Sequence, residues 1–235
     1  MNYKETKYVQ KVLALGLCVG LLLMYAVAAK ADSIYVGTSY PFTYNSPSHG
    51  NIVVGPVGGS SLTINNIASP ISGGITCLDF NTSTGLNTSF NVSVGTLSSS
   101  SVSSTVKFIN DPNKVEGALL KYQQAAWLNG QMATHITSQS DVTAISFAIW
   151  SLFSSGAASQ DPYSQNGQTN SWLTSARAII PQNYDFSSVK IYTATNSINQ
   201  EFMSGKASPV PIPGALFLFA PGLAGLVALR RRFIS

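Results

Sequence analysis

The chain has 235 residues, enough for one domain or two, and its 13 Lys and Arg against 9 Asp and Glu give a formal net charge of +4. That surplus sits at the ends, where Lys4, Lys7, Lys11 and Lys30 precede the body and Arg230, Arg231 and Arg232 close the chain, so the residues from Asp32 to Lys206 are mildly acidic. The balance excludes a basic nucleic-acid-binding face, and a charged fraction of only 9%, with abundant Ser, Thr, Asn, Gly and Val, reads as an exported strand-rich protein rather than a cytosolic enzyme.

In chain order, the first element is an uninterrupted apolar run from Val12 to Ala29, preceded by three lysines and followed by Ala29, Lys30 and Ala31. This is the order of a secretory signal, predicting a signal helix over residues 1–31 and cleavage between Ala31 and Asp32. The alternative is an uncleaved anchor, since the run is almost long enough to span a bilayer. Leu17 before Cys18 rules against lipid modification there, because that processing wants a small residue at this place.

From Asp32 to Lys107 the pattern is of short strands with turn punctuation, predicted at 33–36, 51–55, 61–65, 75–80, 89–97 and 102–109. Phe90, Val92 and Val94 make one face of a strand and Asn91, Ser93 and Gly95 the other, which predicts an antiparallel sheet with one wet side. The serines from Ser98 to Ser101 read as a hairpin tip.

The period then changes to three and four. Asp111-Pro112 reads as a helix start, with Val115, Ala118, Leu119, Tyr122 and Ala126 on one stripe and Gly130 as the stop. Ser140 reads as the cap of a second helix carrying Val142, Ile145, Ile149 and Leu152, with Gly156 beyond its end. A third helix from Thr169 or Asn170 carries Trp172, Leu173, Ala176 and Ile179 and ends before Pro181. A strand at 189–194 should return to the sheet, and 206–211 reads as a linker. The expected class is therefore α+β, an antiparallel β-rich ectodomain over 32–205 with an inserted block of about three helices.

Residues 212–229 then form a stretch without charge, long enough as a helix to cover ~27 Å of hydrocarbon. Arg230, Arg231 and Arg232 follow at once and would hold that end in the cytoplasm. The order Val210-Pro211-Ile212-Pro213-Gly214, apolar helix and terminal arginine cluster resembles the PEP-CTERM sorting signal of Gram-negative bacteria, in the variant with Ile at the glutamate place. What the resemblance implies is a sorting signal over 206–235, cut near Val210 to Gly214 by an exosortase, an integral membrane transpeptidase.

Only one cysteine, Cys77, follows the signal run, and it lies in Ile75-Thr76-Cys77-Leu78-Asp79-Phe80. With Ala125-Ala126-Trp127-Leu128 and Ala148-Ile149-Trp150, it resembles the thioester domains of bacterial surface adhesins. In that family the cysteine thiol condenses with the glutamine of a Gln-x-Ala-Ile-Trp motif, losing ammonia. The resemblance thus implies site positions Cys77, Ser146 and Trp150, with serine where the glutamine should stand. A hydroxyl has no acyl carbon to give, so the family's route is blocked at Ser146. Gln123, Gln124 and Gln139 are near in sequence but in other registers. The plain reading of Cys77 is a small buried residue on a strand, and of Trp127 and Trp150 helix-to-sheet core.

Hydrolytic catalysis finds little support. His49 and His135 stand alone with no nucleophile elbow, and both read as solvated. Asp32, Asp79, Asp111, Glu116, Asp141, Asp161, Asp185 and Glu201 are scattered singly. Residues 161–168, DPYSQNGQ, depart from the calcium-loop pattern at Tyr163 and Gly167 and read as a turn. No cofactor and no metal site is expected.

The expectation is an exported cell-surface or extracellular-matrix protein, anchored in the inner membrane as a precursor, with a structural or adhesive role and no catalysis. Its partners would be the secretion translocon, the exosortase-type enzyme, the membrane and an extracellular polysaccharide. The alternatives are a covalent thioester adhesin using Cys77 and a secreted carbohydrate-active hydrolase.

Overall fold

The computed structural model describes residues 31–46, 50–110, 117–164 and 166–211. The signal run, the start expected for the first helix at Asp111-Pro112, His49, and the apolar stretch with its arginines lie outside the described residues.

Eleven strands occur among the described residues: β1 Ser33–Val36, β2 Phe42–Ser46, β3 Gly50–Val54, β4 Ser61–Ile64, β5 Ile67–Pro70, β6 Thr76–Cys77, β7 Thr88–Thr96, β8 Tyr184–Asp185, β9 Lys190–Ala194, β10 Phe202–Ser204 and β11 Ser208–Pro209. Seven of them form one sheet in the order β5-β4-β1-β7-β9-β10-β6, with every pairing antiparallel. The helices α1 Ala118–Thr134, α2 Gln139–Phe153, α3 Ser155–Gln160 and α4 Gln168–Arg177 lie between β7 and β8 in the chain. The class is α+β, with the helical block inserted between strands as expected.

Several expectations are corrected. Residues 102–109 form a run of turns, held to β7 by one bridge from Val102 to Leu97 and by the Thr96 N–H bond to Ser103 Oγ. The first helix begins at Ala118, because Gly117 is extended with ψ 151°. It runs through Gly130, which is buried where Lys206 and Ala207 cross α1, and Ala207 N–H donates to the Ala126 carbonyl at 3.2 Å. A glycine inside a helix costs about 1 kcal/mol relative to alanine, and here the helix continues through it with the crossing chain at ordinary packing distance. The cap of α2 is Ser138, whose side chain accepts from Asp141 N–H, and Gly156 lies inside α3, a short fourth helix.

The sheet has no single wet side at its centre. Ile191 and Met203 point into a core with α1 and α2, while their neighbours Tyr192 and Phe202 point into a second core with Ile34, Val36, Val57, Ile75 and Val92. Strands β9 and β10 are therefore buried on both faces, and α2 is apolar nearly all round because α1, α4 and β2 pack on different sides of it. Burying each large side chain in these cores contributes about 1.5–3 kcal/mol.

Residues 206–211 lie on the body and are not a free linker. Ser208 and Pro209 pair with Asp185 and Tyr184, and Val210 N–H donates to the Asn183 carbonyl at 2.9 Å. Among the described residues no helix is long and apolar enough to cross a membrane.

Candidate functional site

The site lies where the short edge strand β6 meets α2. Pairing of Phe202 with Cys77 fixes the register of β6 on β10, and Leu78 N–H extends the ladder to the Glu201 carbonyl. The Trp150 indole Nε1 donates to the Cys77 carbonyl at 3.0 Å, clamping this edge onto α2. Its ring packs on Phe80 at 5.3 Å and on Phe147 at 5.0 Å. Ser146 lies one helical turn before Trp150, so both reach the same side of α2. Together with Cys77, Asp79, Gln200 and Phe202 they line a cavity of about 520 Å3.

The structure thus brings together the three positions that the sequence singled out. Cys77 Sγ donates to the Asp79 carbonyl at 3.1 Å and accepts from Asp79 N–H at 3.3 Å. Desolvation pushes the thiol well above its ordinary range, and the nearby Asp79 charge adds to this, so the sulfur is held as a neutral thiol and not as a nucleophilic thiolate. Ser146 Oγ donates to the Val142 carbonyl at 2.8 Å and accepts from Gly55 N–H at 3.1 Å. That hydroxyl is a peg between α2 and the loop after β3, with its hydrogen used.

The glutamines weighed from the sequence go elsewhere, and none of them lines this cavity. Gln123 Nε2 donates to the carbonyls of Ser98 and Ser99, Gln139 Nε2 donates to the Thr43 carbonyl, and Gln124 is buried with Oε1 unpartnered. Gln200 does reach the site. Its Nε2 donates at 2.9 Å to the Asp79 carbonyl, the same oxygen that receives the Cys77 thiol. Nothing local to Gln200 announces this, since it depends on pairing β10 with β6 across more than a hundred residues.

Behind the cavity, Lys107 Nζ makes an ion pair with Asp79 Oδ2 and donates to Thr82 Oγ1 at 3.0 Å. Glu201 is fully buried, accepting Lys107 N–H at 2.7 Å and Thr193 Oγ1–H at 2.6 Å on Oε1 and the Tyr122 hydroxyl on Oε2. Desolvation raises its carboxyl above the ordinary glutamate range, against the pull of those three hydrogen bonds.

The other candidates are dispersed. His135 caps the end of α1 through Nδ1 and the Gln131 carbonyl and packs edge-on against Trp172. Asp161 ties down its own turn by accepting Tyr163 N–H and the Thr169 hydroxyl, in keeping with the turn reading of residues 161–168. No group of three or more His, Cys, Asp or Glu gathers to hold a metal among the described residues. Of the processing positions, Ala31 and Asp32 lie just before β1, where the Asp32 carbonyl accepts Val92 N–H at 2.8 Å, and Val210 and Pro211 end the described chain. Ala29, Ile212, Pro213, Gly214 and the three arginines are outside it.

No protein-family model matches the chain, and no curated protein matches it. Among solved structures it is similar to the N-terminal thioester domain of a surface protein from Clostridium perfringens, at 15% identity and a TM-score of 0.42 over 76% of this chain and 100% of that one. It is also similar to the N-terminal domain of the Streptococcus pyogenes pilus tip adhesin Cpa, at 11% identity and a TM-score of 0.40 over 79% of this chain and 97% of that one. Likeness at this level decides nothing about chemistry, which has to come from the arrangement around Cys77.

Proposed function

We propose that the chain is an exported surface or matrix protein whose ectodomain keeps a thioester-type scaffold as a non-catalytic structural or adhesive module. The observation that carries this reading is the state of Ser146. The Trp150 indole and the half-buried Cys77 thiol both line the cavity, but the residue facing them from the preceding turn of α2 is a hydroxyl tied to Val142 and Gly55. Such a site can pack and can bind; it has no acyl carbon at that place.

Export and sorting belong to the same proposal and rest on the two ends of the sequence. A secretion translocon would deliver the chain, the stretch 212–229 with Arg230, Arg231 and Arg232 would hold it in the inner membrane, and an exosortase-type enzyme would cut near Val210 to Gly214. Among the described residues Val210 N–H donates to the Asn183 carbonyl, so the first residue of the proposed cutting segment lies against the folded body. A surface polysaccharide is the proposed partner. The test is the C-terminal peptide of the protein from a strain with and without its exosortase: processing near residue 210 that vanishes with the enzyme supports sorting, and an identical C-terminus in both strains contradicts it.

One observation favours a second reading. Gln200 and Cys77 share the Asp79 carbonyl, so an acyl donor other than residue 146 lies beside the thiol. Attack of Sγ on the Gln200 amide carbon with loss of ammonia would make the module a covalent adhesin, and methylamine would then open the bond and release a thiol.

A further inference from the structure

Asp79 is a buried carboxylate with every contact fixed. Its Oδ1 accepts Asn81 N–H at 3.0 Å, Oδ2 meets Lys107 Nζ, and its side chain is only 3% exposed. The lysine comes from the turn segment after β7, and its main chain is held as firmly: Lys107 N–H is bonded to Glu201 and Phe108 N–H to the Tyr122 hydroxyl at 3.3 Å. Aromatic rings wall the pair on two sides. Phe108, 6.0 Å from Nζ, packs on Phe153, and Phe80, next to Asp79 in the chain, packs on Phe147 and Trp150.

An amine and a carboxyl held in contact by separate rigid segments differ from a surface ion pair in two ways. The carboxylate is shielded from bulk water, so the water that would reverse a condensation has little access to it. Fixed proximity then replaces a bimolecular encounter, with effective molarities on the order of 10^5–10^8 M for well-oriented groups. Those are the conditions under which condensation to an amide competes with hydrolysis.

We propose that Lys107 and Asp79 become joined by an intramolecular amide bond after folding. Nζ attacks Asp79 Cγ, the Cγ–Oδ2 bond breaks, and Oδ2 leaves as water carrying the two protons that the ammonium gives up. An ammonium and a carboxylate become an amide and one water, with no change of net charge and no other reactant. The cross-link spans 28 residues and encloses all of β7, tying the wall of the Cys77 cavity to the turn segment over α1. It is a different bond from a thioester, since it uses neither Cys77 nor Gln200 and loses water and not ammonia.

No Lys or Arg lies between Lys30 and Lys107, so Asp79 and Lys107 fall in one tryptic peptide, and the full chain can be denatured, alkylated at cysteine and digested. The expected result is that trypsin does not cut after Lys107, that the peptide continues to Lys114 with a mass lower by one water, and that fragmentation places the loss in a loop between positions 79 and 107. Lys107→Arg keeps the positive charge and the reach, but its guanidinium does not condense with a carboxyl; it should be cut after 107 and show the full mass. A wild-type peptide ending at Lys107 with full mass overturns the proposal. So does a loss of water that persists in Lys107→Arg, which would place the dehydration elsewhere.

Discussion

Glu201 shows how one polar side chain can organise a core. Removing its carboxyl would leave the Tyr122 hydroxyl, the Thr193 hydroxyl and Lys107 N–H without their acceptor between the sheet and α1. Glu201→Ala should therefore cost roughly 3 kcal/mol or more in denaturant unfolding. The pH dependence follows from the raised carboxyl. The folded state holds the Glu201 proton more tightly than the unfolded chain, where the group has its ordinary value of 4.5. Its favourable contribution is therefore complete below that value and is lost as pH rises through the interval up to the folded value. Unfolding measured at a series of pH values should show stability falling above about 4.5 from this group, and Glu201→Gln should flatten that slope. On the other side of the same strand pair, Trp150→Phe removes the donor to the Cys77 carbonyl and should cost about 1–3 kcal/mol, read by chemical denaturation. The residues legible in the sequence were those inside short contiguous motifs: Cys77, Ser146 and Trp150 meet at one cavity because the motif on α2 is read at helical spacing. Gln200, Lys107 and Glu201 were silent, since their meeting depends on β10 pairing with β6 and on where the turns after β7 fall.

At the scale of elements, boundaries were set by packing and hydrogen bonds more than by the local residues that usually mark them. Ser140 looks like the cap of α2, yet the acceptor for Asp141 N–H is Ser138. Ser138→Ala should lower thermal or chemical stability by about 1 kcal/mol, whereas Ser140→Ala should stay within about 0.5 kcal/mol; the reverse order would contradict this capping. Gly130 looked like a stop because a glycine near the end of an apolar stripe usually is one, but α1 continues through it to Thr134, with Lys206 and Ala207 packed alongside. The turn that begins this crossing has its own requirement. Gly205 has φ +78°, and a Cβ there would meet the Ser188 carbonyl oxygen at 2.3 Å, so Gly205→Ala should destabilise by at least about 2 kcal/mol in the same assay. Strands β1, β4, β7 and β9 were readable from alternation and turn residues. The edge β6 lies inside the run 75–80 read as a strand but is shorter than it, the buried β10 was not read because a three-residue strand carries no period, and residues 102–109 alternate like a strand but spend their backbone bonds on turns.

For the whole molecule, the order of strands, inserted helices and returning strands was visible in the change of period along the chain, while burial of β9 and β10 on both faces was not. The fold puts the Cys77 cavity on one edge of the sheet, and Val210 and Pro211, where the described residues end, are not among the residues that line it. Deleting Arg230, Arg231 and Arg232 should consequently impair retention and processing of the precursor, followed by fractionation and C-terminal mapping, without changing the unfolding of the ectodomain. The central claim is that the scaffold carries a free thiol and no acyl bond. Thiol titration of the denatured protein, before and after methylamine treatment, tests it most directly with Cys77 as the reporter. One reactive thiol at Cys77 in both samples, with no methylamine taken up, is the predicted result. A thiol at Cys77 that appears only after methylamine, together with one methylamine incorporated at Gln200, would contradict it and show a working thioester.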